Sequence, residues 1–175
     1  LPFMGYKEAE FFGVPSRIFR ISFSGELAYE INVKSDHGMF MWEKMMEVGK
    51  EFGNQPYGTE ALSTLRIEMG HVAGPELDGR TIPSDVSLNG LVSKKKDFIG
   101  KNSLGREAFN VESRQKIVGL IPIDRKSSIP EGSHIVQDQN AKLPNPKLGH
   151  VSSSCWSVEN NNPFSLAIMK DGKNM

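Results

Sequence analysis

Apolar and polar residues alternate in two stretches near the beginning of the chain. Residues 19–23 read Phe-Arg-Ile-Ser-Phe and residues 29–33 read Tyr-Glu-Ile-Asn-Val, with Ser24-Gly25-Glu26 in the interval. A period of two is typical of a strand with one buried face. Two such strands around a short glycine-containing turn predict a β-hairpin. Residues 1–15 show no clear period.

Helical spacing predicts two helices after the hairpin. Ser35 or Asp36 can cap the first, which runs up to Gly53, and Thr59 opens the second, which Gly70 can end. We expect the methionine-rich stripe of the first helix to pack against the hairpin rather than form a partner groove. Its members are Met39, Phe40, Trp42, Met45 and Met46, and the stripe of the second helix is Ala61, Leu62, Leu65 and Met69. Residues 71–98 read mostly as loop, and residues 102–109 as a short helix.

The pattern changes after Arg114, where short strands separated by proline and glycine replace the helical spacing. Strands are predicted over residues 116–123, 133–138, 148–156 and 164–170. This half is typical of a small all-β barrel or sandwich. The sequence therefore predicts an α+β fold with two domains, residues 1–112 and residues 113–175.

Composition and charge narrow the classes of function. Acidic and basic residues balance at 21 each, which argues against nucleic acid as the main partner. No apolar run approaches the roughly 20 residues that span a bilayer, and no signal peptide is evident, so we expect no membrane association and a cytoplasmic location. Cys155 is the single cysteine, which excludes an intramolecular disulfide and favours ordinary packing over reactivity.

Glu26 is the first candidate binding residue, because it follows the turn glycine of the predicted hairpin. Its carboxylate only accepts hydrogen bonds, through two neighbouring oxygens. Such a group matches a planar ligand with two adjacent N–H donors, such as a pterin edge or a guanidinium. On these residues alone, a solvated turn residue or an arginine partner is favoured.

Arg66 is the second candidate, because it stands between Leu65 and Ile67 in the second predicted helix. A packed arginine needs a carboxylate or a ligand as acceptor. The positions four residues away are Leu62 and Gly70, which supply none. A structural ion pair with another element and a ligand contact both remain open.

Other motifs are weaker. Lys94-Lys95-Lys96 could bind phosphate or a polyglutamate tail, but a solvated turn is favoured because no aromatic residue is interleaved. The four histidines are scattered without metal-ligand spacing, so no metal site is predicted. A glycine-rich nucleotide-binding motif is missing from the sequence.

Five segments together resemble the aminomethyltransferase superfamily, which includes the glycine-cleavage T protein and the sarcosine oxidase alpha subunit. They are residues 20–31, 59–70, 76–83, 93–104 and 149–156, in the family's order. Ser22-Phe23-Ser24-Gly25-Glu26-Leu27 and the run from Val92 to Lys101 look most like the C-terminal region of the heterotetrameric sarcosine oxidase alpha branch.

The resemblance implies a partial ferredoxin-like folate-binding domain followed by a C-terminal β-barrel. It also implies that Glu26 and Arg66 bind tetrahydrofolate, which captures the one-carbon unit of oxidised sarcosine as 5,10-methylenetetrahydrofolate. The family's key aspartate lies upstream of this chain, so the catalytic residue is unknown. FAD, FMN and NAD are expected elsewhere in an oxidoreductase complex with other sarcosine oxidase subunits, and this chain alone is expected to be inactive.

Two alternatives remain open. The first is an aminomethyltransferase of the glycine-cleavage T protein type, which more often carries Gly-Tyr-Thr-Gly-Glu where this chain has Ser22-Phe23-Ser24-Gly25-Glu26. The second is a non-catalytic domain of the same fold that assembles with other subunits.

Overall fold

A computed structural model describes residues 1–172 of the chain. The chain divides into two compact units, residues 1–62 and the residues from Ser63 onward. The mixture of helices and sheets confirms the predicted α+β class. Among residues 1–172, no helix is long and apolar enough to cross a membrane.

The first unit contains a three-stranded antiparallel sheet in the order β1-β2-β3. Its strands are β1 (Tyr6–Phe11), β2 (Val14–Phe19) and β3 (Glu30–Asn32). Phe12 and Gly13 both have positive φ, 53° and 78°, as a two-residue hairpin turn of the right-handed twist requires. The predicted pairing of strands at residues 19–23 and 29–33 is correct only in part. The second strand coincides with β3, but β2 ends at Phe19, where the first was predicted to begin, and its Ile18 lies opposite Ile31.

The position of the predicted hairpin is wrong in one respect. Strand β2 ends at Phe19, so residues 20–29 form a long connection, and Ser24-Gly25-Glu26 lies within it rather than at a tight turn. Strand β1 was not predicted, because it is an edge strand without a buried face: four of its six residues are exposed and two are partly buried.

Helix α1 (Gly38–Gly49) follows a short 3₁₀ turn, Ser35–His37. Neither Ser35 nor Asp36 caps it, because His37 occupies the N-cap position of α1, without a side-chain hydrogen bond. The segment ends at Gly53 with φ 68°, as predicted.

The expectation that the methionine-rich stripe packs against the hairpin is wrong. Met41 is the buried residue of α1, while Met39 and Trp42 are 70% and 55% exposed. Apolar residues cover more than half of the circumference of this helix, so their spacing could not select the buried face.

Helix α2 (Thr59–Glu68) ends as predicted at Gly70, whose φ is 74°. The Gly70 amide donates to the Ile67 carbonyl and the His71 amide to the Arg66 carbonyl, the double hydrogen bond of a Schellman motif. Its buried residues are Arg66 and Ile67 rather than the predicted stripe, of which Met69 is 61% exposed. The face of α2 that carries Arg66 is buried because Arg66 forms an ion pair with Glu76, described below.

Residues 71–98 are loop with short 3₁₀ turns, as predicted. The predicted helix over residues 102–109 is interrupted: α3 (Lys101–Leu104) ends at Gly105, and a 3₁₀ turn covers Glu107–Phe109. Glycine favours the break because it is a poor helix former.

The second half contains one four-stranded antiparallel sheet in the order β4-β7-β6-β5. The strands are β4 (Gln115–Leu120), β5 (His134–Val136), β6 (Lys147–Ser157) and β7 (Asn162–Lys170), close to the predicted bounds. The described residues between 116 and 170 contain no helix, which confirms the all-β prediction. Central strand β7 is buried along almost its whole length and forms the core with β6, through Val151, Leu166, Ala167 and Met169.

The prediction of a closed barrel is wrong. Strands β4 and β5 are the two edges of the sheet and do not pair with each other. Strand β5 has only three residues and pairs irregularly with β6, so it offers too few hydrogen bonds to close the sheet. The predicted division at residue 112 stays a prediction, as does the ferredoxin-like description of the first part.

Candidate functional site

Glu26 lies in the long connection between β2 and β3. Gly25 has φ 98°, a conformation that glycine adopts without strain, and its amide donates to Ser22 Oγ at 2.8 Å. These features form a compact bend that presents the Glu26 carboxylate to solvent. A hydrogen bond from Ser24, followed by one from the backbone amide of Glu26, lowers the pKa of Glu26. The side chain is therefore an ionised, accessible hydrogen-bond acceptor at neutral pH.

Arg66 is buried in the second unit and its guanidinium contacts protein groups. Its Nη1 donates to Glu76 Oε2 at 2.9 Å, and its Nη2 donates to Ser153 Oγ at 2.7 Å. Ser153 in turn donates to Glu76 Oε1 at 2.5 Å. The structural ion pair that the sequence left open is thus present, and it joins α2, the 3₁₀ turn at residues 74–76 and strand β6.

Glu76 is the acidic centre of this network. Burial opposes its ionisation, but hydrogen bonds from Ser153 and the Ala73 amide, with the charge of Arg66, hold the pKa of Glu76 below its ordinary value. The Ala73 amide lies 2.9 Å from Glu76 Oε2. The carboxylate therefore stays charged inside the protein, where each oxygen accepts at least one hydrogen bond.

Asp85 and Arg114 form a second ion pair in the same unit. Arg114 Nε donates to Asp85 Oδ1 at 2.9 Å, its Nη2 donates to Asp85 Oδ2, and Lys116 Nζ lies 3.7 Å from Asp85 Oδ1. Burial opposes ionisation of Asp85. Hydrogen bonds from Arg114 and the Ile82 amide, with the charges of Arg114 and Lys116, nevertheless lower the pKa of Asp85. Glu76, Asp85 and Arg114 border a cavity of about 280 Å³, which His150 and Lys170 also line.

Sequence reasoning missed Glu76, Ser153, Asp85 and Arg114 as members of ion-pair networks. The available signal was indirect: Arg66 needed an acceptor, and Glu76 is ten residues away in the loop that follows its helix. Ser153 is 87 residues from Arg66 along the chain, so only the fold brings them together.

The remaining candidates are placed as follows. Lys94, Lys95 and Lys96 are all exposed, as expected for a solvated turn. Cys155 is half-buried on β6, and burial, followed by the charge of Glu68, raises the pKa of its thiol. Among residues 1–172, no three side chains of His, Cys, Asp or Glu form a cluster that could hold a metal ion.

Known proteins resemble this chain over nearly its whole length. Sarcosine oxidase subunit alpha from Rhizobium meliloti (strain 1021) is 40% identical over 176 residues, which cover 99% of this chain and 18% of the relative. Aminomethyltransferase from Bacillus mycoides (strain KBAB4) is 33% identical over 160 residues, which cover 90% of this chain and 42% of the relative. This chain thus spans less than a fifth of the first relative and less than half of the second.

A solved structure shows the same fold. Aminomethyltransferase T of the glycine cleavage system from Bartonella henselae superposes with a TM-score of 0.79 at 23% identity, covering 97% of this chain and 45% of that one. A family model described as the GCVT N-terminal domain matches residues 1–96. Because that match includes more than half of the chain, the chain belongs to the GCVT N-terminal domain family.

Proposed function

We propose that this chain is the tetrahydrofolate-binding part of a sarcosine oxidase alpha subunit. In this function it captures the one-carbon unit from oxidised sarcosine as 5,10-methylenetetrahydrofolate. The observation that carries the proposal is the identity of 40% to a sarcosine oxidase alpha subunit over 99% of the chain, against 33% to an aminomethyltransferase.

Glu26 fits the role of a pterin-binding residue. Its carboxylate is exposed and its pKa is lowered by Ser24, so it presents two acceptor oxygens at neutral pH. Adjacent N–H donors on the edge of a pterin ring would satisfy both oxygens, and such paired hydrogen bonds to a charged group are strong and directional. We therefore assign Glu26 the direct contact.

Arg66 has a different part in the proposal. Its side chain is 5% exposed and donates to Glu76 and Ser153. We propose that Arg66 has a structural part, in which it holds the end of α2 against the loop and strand β6. If so, Arg66→Lys, which keeps the charge but loses the fork of donors, lowers stability.

Reduced folate would supply the nucleophilic nitrogen that takes up the one-carbon unit. The residues of this chain would bind and orient it. FAD, FMN and NAD, with other subunits of the complex, would carry out the oxidation outside this chain. The second candidate is an aminomethyltransferase of the T protein type. The shared fold supports it, but the sequence identity to an aminomethyltransferase is lower, 33% against 40%.

Ligand-observed NMR tests the proposal with tetrahydrofolate and with p-aminobenzoylglutamate, which lacks the pterin ring. We expect saturation transfer from the protein to the pterin protons of tetrahydrofolate and little to p-aminobenzoylglutamate. Glu26→Gln, which removes the charge, should weaken tetrahydrofolate binding by about tenfold.

The matched control is Glu10→Gln, which changes another exposed carboxylate and should leave binding unaltered. Equal transfer to both ligands, or equal affinity for the wild type and Glu26→Gln, would contradict the proposal.

A further inference from the structure

An apolar groove lies on the second unit. It has a volume of about 440 Å³, and its apolar lining comes from Pro83, Leu88, Leu91, Val92, Phe98 and Leu104. The volume falls within the range of about 300–1,000 Å³ that is common for ligand pockets. Leu91 is 80% exposed, so its burial by a partner would be favourable.

Three lysines adjoin this groove. Lys96 lines it, and Lys94 and Lys95 precede it in the same turn. The amides of Lys95 and Lys96 donate to Ser93 Oγ at 3.2 Å and 2.9 Å, which gives the turn a defined shape. The lysine side chains are therefore presented from an ordered turn at the edge of an apolar surface.

The charge of these lysines is not neutralised by the protein. The carboxylate that lines the groove, Asp97, pairs with Lys101 at 2.8 Å. Among residues 1–172, no carboxylate forms an ion pair with Lys94, Lys95 or Lys96. Three positive charges thus stand beside the groove, and the neighbouring carboxylate, Asp97, is paired with Lys101 instead.

We propose that the groove and Lys94–Lys96 form a docking surface for a polypeptide segment that carries bulky apolar side chains beside Asp or Glu residues. The apolar side chains would enter the groove and the carboxylates would meet the lysines, so that burial supplies affinity and charge supplies specificity. A purely anionic ligand, such as a polyglutamate tail or phosphate, would pair with the lysines but leave the apolar lining against water. The proposal is independent of folate binding at Glu26.

A phage-displayed library of random dodecapeptides, panned on the 175-residue chain, tests the proposal. We expect the enriched peptides to combine at least two acidic residues with Leu, Phe, Met or Trp. A fluorescein-labelled enriched peptide should bind more weakly as salt rises, because the exposed charges are screened.

Variants with matched controls locate the binding. Replacing Lys94, Lys95 and Lys96 with Ser should weaken binding at least tenfold and remove most of its salt dependence. The same change at Lys7, Lys126 and Lys142, which are exposed elsewhere, should alter affinity less than twofold. Leu91→Ser should weaken binding at least tenfold, whereas Leu143→Ser, a change at a leucine that is 89% exposed, should not.

Four results would overturn the proposal: no enrichment, enrichment of neutral or basic peptides, equal loss in both lysine variants, or full binding by Leu91→Ser. Penta-γ-glutamate is the competing ligand. If it binds as tightly as the enriched peptides and displaces them, the surface recognises an anionic tail rather than a polypeptide. Near-ultraviolet circular dichroism of each variant verifies that the fold is retained.

Discussion

Arg66 and Glu76 form an ion pair that is shielded from solvent, with Nη1 2.9 Å from Oε2 and side chains 5% and 0% exposed. Ser153, itself fully buried, bonds to both members. The network ties α2 and the turn that follows it to strand β6, which is distant from both in sequence. The contribution of this network to the unfolding free energy can be measured without any ligand.

Removing one member of the pair should strongly destabilise the chain. Arg66→Met leaves the Glu76 charge buried without its cation, which should cost about 3–5 kcal/mol of unfolding free energy. Glu76→Gln keeps the shape but leaves the Arg66 guanidinium buried without its anion, so it should also cost about 3–5 kcal/mol. Urea unfolding followed by circular dichroism measures both.

The surface pair Arg17–Glu8 provides the control, since its side chains are 64% and 71% exposed. Glu8→Gln should change the unfolding free energy by less than about 0.5 kcal/mol. If Arg66→Met were as mild as Glu8→Gln, the network would not hold the unit together.

Acid should weaken the fold through Glu76. Its folded-state pKa lies below the ordinary value of 4.5, so the unfolded chain binds a proton more readily. The contribution of Glu76 is therefore fully present above pH 4.5 and is lost as pH falls through the lowered pKa. Unfolding free energies measured in steps below pH 4.5 should fall more steeply for the wild type than for Glu76→Gln. Parallel slopes for the two proteins would show that Glu76 is not held ionised.

Cys155 should behave as a packing residue rather than a nucleophile. Burial, with the charge of Glu68 as a second cause, raises the pKa of its thiol above the ordinary 9.0, so little thiolate is present at neutral pH. Reaction with 5,5′-dithiobis(2-nitrobenzoate) at pH 7 should be at least about tenfold slower in the folded chain than in urea. A faster reaction in the folded chain would identify a reactive thiol.

The sequence predicted the strands of the second half well because Pro and Gly residues delimit them and a buried sheet keeps its apolar runs. It predicted the end of α2 because glycine is common directly after a helix, where the backbone adopts the positive φ that Gly70 has. Strand β1 escaped detection, because its edge position lacks a buried face and its turn is Phe12-Gly13 rather than Asn-Gly. Local patterns carry no information on such an exposed edge.

The candidate site was predictable only in part. Glu26 was found because glycine marks the bend before it. The need of Arg66 for an acceptor was also visible, but the identity of that acceptor was not, since Ser153 reaches it only through the pairing of β6 in the sheet. The open sheet could not be foreseen either, because strand count does not reveal whether the edge strands are long enough to pair.

Mapping the contact of tetrahydrofolate on the ¹⁵N-labelled chain tests the central claim most directly, namely that Glu26 receives the pterin ring. We predict that the amide signals of Gly25, Glu26 and their neighbours in residues 22–27 shift progressively as tetrahydrofolate is added. Glu26→Gln should need about tenfold more tetrahydrofolate for the same shifts, whereas Glu10→Gln should not. Shifts that spare residues 22–27, for example those confined to the lysine turn at residues 94–96, would contradict the claim.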